Sequence, residues 1–270
     1  MEIAKKSSLV VVGFGIKFLS HLTTETRAYI ESADKVLYLV NDPVAKDWIK
    51  KNTKNSESLD TLYQSYLIRQ DCYQAIAEYI LDTLRQNLHV CVVLYGHPAV
   101  FAQPGIIAVA QARKEGFDAR VLPAISAEDC LFADLLVDPG SCGCQSFEAS
   151  DFLIYNRPFS SASHLILWQV GFIGALGHLQ SHDNTLGIKL LIDCLEREYP
   201  SGHEVILYEA AQYASFMPKI EKATIRCLSE VSLPPLTTLY VPPALKLKHN
   251  QSILEAFKIT VKRPVACSVS

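Results

Sequence analysis

The chain has 270 residues, of which 49% are apolar and 20% charged, and a formal net charge of -3. That length can bury one large core or two modest ones, and the balance of charge gives no bulk attraction to nucleic acid or to an anionic membrane. The longest apolar stretch, 164–179, is broken by Gln169 and three glycines, which excludes it as a membrane span.

Met1 to Ser8 holds no hydrophobic signal core, so the expected location is the cytoplasm. The eight cysteines are scattered through mostly apolar segments and are expected to be free thiols. Cys142-Gly143-Cys144 lacks a second pair at zinc spacing, so no metal is expected.

In chain order, strand and helix alternate. Leu9 to Val12 reads as a buried strand turning at Gly13-Phe14-Gly15, and Thr23 to Ala33 as a helix opened by hydroxyl residues. Lys35 to Val40 and Val90 to Leu94 are apolar strands. Between them, Tyr73, Ile76, Ala77, Ile80 and Leu84 recur at helical spacing and predict an amphipathic helix over 70–86. Ile106 to Lys114 is a short helix ended by Gly116, and Arg120 to Leu122 is the last strand of the first unit. This rhythm implies a mainly parallel sheet covered on both faces.

Downstream, Leu165 to Trp168, Val205 to Tyr208 and Thr237 to Val241 read as strands, with a helix from Leu186 to Tyr199 between the first two. Their wider spacing predicts a second α/β domain with a mixed sheet. The boundary is placed near Pro123: an N-terminal α/β domain over 1–123, a second over 124–243, and a short basic tail over 244–270. Ser252 to Phe257 forms a last short helix in that tail.

Two segments concentrate the chemistry. Tyr95-Gly96-His97-Pro98-Ala99-Val100-Phe101 breaks a buried strand into a loop. Ser126-Ala127-Glu128-Asp129 opens a helix, with Ser126 placed to cap it and acids in the first turn. Open α/β sheets take ligands at such places, so the pair suggests one binding crevice. Gly13-Phe14-Gly15 fails the fuller dinucleotide pattern, because Phe18 stands where the third glycine belongs. Its glycines serve a tight turn and leave the loop able to line the crevice.

His97 reads either as a structural group or as a functional one, and Tyr95 either as core or as a phenol facing the crevice. Arg69 and Tyr73 lie four apart on one helix face, where a guanidinium favours the phenolate. Tyr63 and Tyr66 stand just upstream; the plainer reading is a helix start with a surface arginine. Gln169, Tyr208-Glu209-Ala210 and Thr237-Thr238 fall at or just beyond strand ends.

Assembled, these residues resemble a tetrapyrrole-methylase-type (class III) S-adenosylmethionine methyltransferase. More narrowly, the chain resembles the peptide backbone α-N-methyltransferases that make borosin natural products. Val12-Gly13-Phe14-Gly15, Tyr63-Gln64-Ser65-Tyr66 with Arg69 and Tyr73, and the 95–101 string carry the likeness. It continues through 126–135, 147–152 and Tyr240-Val241-Pro242-Pro243, and spans residues 8–250.

The resemblance implies two α/β domains with the cofactor crevice between them, and a homodimer. By position, it implies that Gly13, Gly15, Tyr95, His97, Val100, Phe101, Ser126, Ala127, Gln169, Tyr208, Ala210, Thr237 and Thr238 surround S-adenosylmethionine. Tyr73, Arg69, Tyr63, Tyr66 and Tyr95 are the implied catalytic group. An amide nitrogen is a poor nucleophile because its lone pair is delocalised. Tyr73 beside Arg69 is therefore expected to act as base, with Tyr63, Tyr66 or Tyr95 bonding the substrate carbonyl.

Two features depart from the group. Only Leu67-Ile68 separates Tyr66 from Arg69, shorter than the group's loop, so the base assignment rests more on Tyr73 than on Arg69. The residues after Ala244 hold little of the apolar peptide that fused relatives methylate. The expectation is a split system acting on a separate precursor peptide, with no nucleic acid and no membrane as partner. The alternatives are a tetrapyrrole or other small-acceptor methyltransferase, a non-catalytic peptide-binding module, and methylation of the chain's own tail.

Overall fold

The computed structural model describes residues 7–66, 68–175 and 183–260. It divides into two compact units, one running to Asp134 and regaining Ala210–Met217, the other formed from Leu135 onward. The first unit runs to Asp134, so the helix opened by Ser126, with Cys130 and Leu131 buried, falls within it.

In the first unit, β1 (Ser8–Gly13), β2 (Lys35–Leu39), β3 (Ser56–Ser58), β4 (His89–Leu94) and β5 (Asp118–Val121) form a five-stranded sheet of order β3-β2-β4-β1-β5. All its pairings are parallel. Continuous β-branched runs such as Val10-Val11-Val12 suit strands covered on both faces.

Alternation along the strands builds two cores. Leu9 and Val11 pack with α4 (Arg69–Leu84) and α5 (Gln103–Lys114) on one face. Val10 and Val12 pack with α1 (Thr24–Ser32) and α2 (Pro43–Asn52) on the other. Thr23 caps α1 by accepting from Thr26 N at 3.1 Å. Proline at its first position and Asp42 as cap specify α2, an element the sequence reading passes over. A short α3 (Asp60–Gln64) precedes α4.

The first unit closes in α6 (Ala127–Leu135), and α7 (Pro139–Cys142) opens the second. There, β6 (Cys144–Glu148), β7 (His164–Trp168), β8 (Glu204–Glu209), β9 (Lys219–Thr224) and β10 (Thr238–Val241) form a five-stranded sheet of order β6-β7-β10-β8-β9. Only β6 and β7 pair in parallel, so the sheet is mixed. Its core takes Leu165, Leu167, Val205, Leu207 and Leu239, with α8 (Ala149–Ile154) and α9 (Thr185–Leu195) against it.

Ala244 N and Leu245 N both donate to Ser161 O, so the segment expected as a tail begins on the second unit and leads to α10 (Gln251–Ala256). Among the described residues six cysteines are free thiols, whereas Cys142 is disulfide-bonded, against the expectation of free thiols throughout. Among the described residues, no helix is long and apolar enough to cross a membrane.

Candidate functional site

β1 and β4 are neighbours at the middle of the first sheet, and their connections leave in opposite directions. The α1 residues that follow β1 join one core, while the α5 residues that follow β4 join the other. Open α/β sheets bind ligands at such a switch point, outside the carboxyl ends of the strands.

The loops there are stitched together. Gly15 N donates to Gly96 O at 3.2 Å and Gly96 N donates to Gly15 O at 3.1 Å. Both glycines hold positive φ, +76° and +69°. A Cβ on Gly13 would lie 2.2 Å from Gly96 O, 2.6 Å from Ala124 Cβ and 2.7 Å from Pro98 Cδ. The chain after β1, β4 and β5 thus converges on a point that only bare backbone fills.

Within this convergence His97 is built into its own turn. Its Nδ1 accepts from Ala99 N at 3.0 Å, and its carbonyl accepts from Val100 N at 3.1 Å. With Nδ1 as acceptor, the neutral ring carries its proton on Nε2. Phe101 follows in left-handed backbone with φ 51° and is 54% exposed. A bulky residue in that region marks a locally strained turn.

Ser126 and Asp129 form a reciprocal capping box. Asp129 N donates to Ser126 Oγ at 3.2 Å, while Ser126 N donates to Asp129 Oδ2 at 2.7 Å. The Ser126 hydroxyl also donates to that carboxylate at 2.8 Å. Ser126 and Ala127 are thereby fixed at the start of α6, as the sequence predicts.

A recess beside the stitched loops is walled by Phe14, Ile16, Phe18, Val40 and Tyr95, with Asp42 and Gln212 as polar edges. Burial, with Cys130 and Asp42 nearby, pushes the Tyr95 phenol up to about 12. The returning segment 210–217 is pinned here: Phe18 N donates to Gln212 O at 2.9 Å, and Tyr213 OH donates to Asp42 Oδ1 at 2.9 Å. Ala210 lies at the start of that segment. Sequence reading misses Asp42, Gln212 and Tyr213. Asp42 lies at the start of α2, which that reading passes over, and no local pattern ties Tyr213 to a residue so distant in sequence.

The phenols gather on the opposite face of the sheet. Tyr63, Tyr66 and Tyr73 pack half-buried against the core of α4 and α5, whereas Tyr95 packs with the α1 and α2 core. Leu94 points to one face and Tyr95 to the other, by strand alternation. Tyr63 and Tyr73 are hydrogen-bonded, and the bond holds the proton on Tyr63. Burial raises Tyr63 above the ordinary phenol range, Tyr73 raises it further, and the Arg69 guanidinium pulls it down. Cys72 Sγ lies 3.5 Å from the Tyr63 carbonyl, tying α4 to α3. The structure thus brings Tyr63, Arg69 and Tyr73 together despite the short connection, of which Leu67 lies outside the described residues.

In the second unit, strand register puts Gln169, Thr237 and Glu209 in one row at the ends of β7, β10 and β8. Thr237 Oγ1 donates to Glu209 Oε1 at 2.8 Å, and Val170 N donates to Thr237 O at 3.3 Å. Gln169 is exposed and, like Phe101, holds left-handed backbone, φ 58°. Thr238 and Tyr208 are buried, paired across β10 and β8.

Residues 8–225 match the family model of the Tetrapyrrole (Corrin/Porphyrin) Methylases. The chain is 42% identical over 254 residues to the methyltransferase/ribosomally synthesized cyclic peptide dendrothelin A precursor of Dendrothele bispora (strain CBS 962.96), covering 93% of this chain and 61% of that protein. It is 38% identical over 268 residues to the methyltransferase/ribosomally synthesized type I borosin cyclic peptide precursor of Coprinopsis marcescibilis, covering 96% and 68%. The chain spans about three fifths of the length of the first curated relatives it matches.

Among solved structures, uroporphyrin-III-C-methyltransferase from Thermus thermophilus shares the fold with a TM-score of 0.61 at 21% identity, covering 88% of this chain and 92% of that one. Diphthine synthase does so at 0.58 and 16%, covering 90% and 92%. The chain belongs to the tetrapyrrole (corrin/porphyrin) methylase family and, within it, stands with the borosin precursor methyltransferases.

Proposed function

We propose that this chain is an S-adenosylmethionine-dependent methyltransferase that methylates backbone amide nitrogens of a precursor peptide. The observation that carries the reading is the Tyr63–Tyr73 hydrogen bond beside Arg69, in a chain about two fifths identical to methyltransferases named as joined to cyclic peptide precursors. Carbon methylation of a macrocycle has no need of an amide base, which argues against a small-acceptor alternative.

We place the cofactor at the switch point. Gly13 and Gly15 let the loops after β1 and β4 close on one another there, and Tyr95 and the Asp42 carboxylate border the recess beside them. His97, Val100, Phe101, Ser126, Ala127 and Ala210, all of the first unit, would complete its cofactor contacts. Bound S-adenosylmethionine supplies an electrophilic methyl on its sulfonium.

The chain's own residues handle the proton. Tyr73 takes the amide N–H proton as general base. Tyr63 stays protonated, because burial holds its proton, and donates to the Tyr73 oxygen, stabilising it as an anion. Arg69 adds positive charge to the same pair. Tyr66 bonds the substrate carbonyl oxygen as negative charge builds there. Tyr95, on the other face, orients the donor side of the reaction.

Coexpression with a neighbouring short reading frame, followed by tandem mass spectrometry of both chains, tests the proposal. Methyl increments on backbone amides of the peptide support it as a trans-acting enzyme. Increments on this chain's own tail keep the chemistry and change the acceptor. Methylation of neither, in protein that binds no S-adenosylhomocysteine, overturns it. Sedimentation of the same sample reads the proposed homodimer.

A further inference from the structure

The loop after β1 is held by an imidazole. Ile16 N at 3.3 Å and Lys17 N at 3.1 Å both donate to Nδ1 of His21. His21 N in turn donates to Lys17 O at 3.1 Å, closing the turn. A Cβ on Gly15 would meet His21 Cβ at 2.3 Å, so the histidine packs directly on the glycine turn. Phe14, Ile16 and Phe18, which wall the recess, all belong to this loop.

A ring nitrogen can accept two N–H groups only while it carries no proton. We infer that His21, as a neutral Nδ1 acceptor, is a positioning residue that sets the β1 loop for methyl-donor binding, and that its protonation releases the loop. The inference rests on the reading of the switch point as the S-adenosylmethionine site.

The surroundings keep the ring neutral under ordinary conditions. Burial is the largest influence and lowers its pKa below 6.5, and Lys17 on the same loop lowers it further. Asp129 and Asp134 on α6 oppose this more weakly. The loop is therefore held at neutral pH and released when acid protonates the ring. Once charged, the ring turns an N–H toward two N–H donors and both bonds are lost.

His21→Asn and His21→Ala separate this role from simple packing. The asparagine Oδ1 replaces Nδ1 as acceptor but does not titrate; alanine offers no acceptor. Two readouts are taken from about pH 7.5 to about pH 5, across the histidine range. One is hydrogen exchange of the 13–22 segment in cofactor-free protein, corrected for intrinsic rates. The other is calorimetric affinity for S-adenosylhomocysteine.

In wild type, protection of the segment is expected to fall on acidification, with affinity dropping about tenfold. The asparagine variant keeps both across the range, and the alanine variant lacks both at either end. Wild-type protection in the alanine variant, or an acid response retained by the asparagine variant, overturns the inference. If protection behaves as expected but no variant binds the probe at neutral pH, the site reading fails and the loop-holding role stands.

Discussion

Gly15 and Gly96 exchange both of their backbone hydrogen bonds, at 3.2 and 3.1 Å, and so tie the loop after β1 to the loop after β4. The tie brings two connections that leave for opposite faces of the sheet into one rigid rim. Gly13 sits beneath it with no room for a side chain.

Gly13→Val is therefore expected to push Gly96 and Pro98 away, since even its Cβ would come within 2.2 Å of Gly96 O. Affinity for S-adenosylhomocysteine should fall by more than about tenfold, read by calorimetry. Gly202→Ala is the control, because a Cβ there meets nothing within 4 Å. Equal affinity in both variants would separate the rim from cofactor binding.

The phenol pair makes a kinetic prediction. Tyr73→Phe removes the proposed base and should lower the methylation rate by roughly 10²- to 10⁴-fold with cofactor affinity retained. In wild type the rate rises with pH as the base loses its proton. Tyr63→Phe removes the hydrogen bond that favours the anionic form, so this limb should move to higher pH, and Arg69→Met should move it the same way. Single-turnover rates against pH check the sign. A limb that stays in place in both variants would leave Tyr73 without its proposed support.

The capping box predicts a coupled loss of stability and binding. Asp129→Ala strips the partner from Ser126 N and its hydroxyl, and should cost about 1 kcal/mol in urea unfolding. Because Ser126 and Ala127 belong to the proposed cofactor site, affinity should fall as well. Asp129→Asn keeps an acceptor and should lose less of each. A stability loss with unchanged affinity would remove the start of α6 from the site.

Much of this was written in local pattern. The central parallel strands β1, β2 and β4 are apolar runs, and α4 announces itself by Ile76, Ala77, Ile80 and Leu84 on one buried face. The capping of α6 by Ser126 and the clustering of Tyr63, Arg69 and Tyr73 were equally local, since short spacing forces proximity. Three edge strands, β3, β6 and β9, were not legible, whereas the edge strand β5 was read as Arg120 to Leu122. β9 reads Lys219-Ile220-Glu221-Lys222, with charges that protect an exposed edge and hide its strand character. β6 is likewise polar. The role of the returning 210–217 segment could not be read either, because it rests on contacts with Phe18 and Asp42 that no local periodicity encodes.

That returning segment supplies the last prediction. Tyr213 OH donates to Asp42 Oδ1 at 2.9 Å while Val44 N donates to the same oxygen at 2.9 Å, so one carboxylate caps α2 and anchors 210–217. The bond to Asp42 raises the Tyr213 pKa, which keeps the phenol protonated and donating across the neutral range. Tyr213→Phe should raise hydrogen exchange over 210–217 and weaken S-adenosylhomocysteine binding about fivefold, the loss of one such bond. Asp42→Asn retains the oxygen and should behave nearly as wild type, whereas Asp42→Ala loses the anchor and the cap together. If Tyr213→Phe leaves exchange over 210–217 unchanged, the segment is held by Phe18 and Gln212 alone, and the polar edge of the recess plays no part in shaping it.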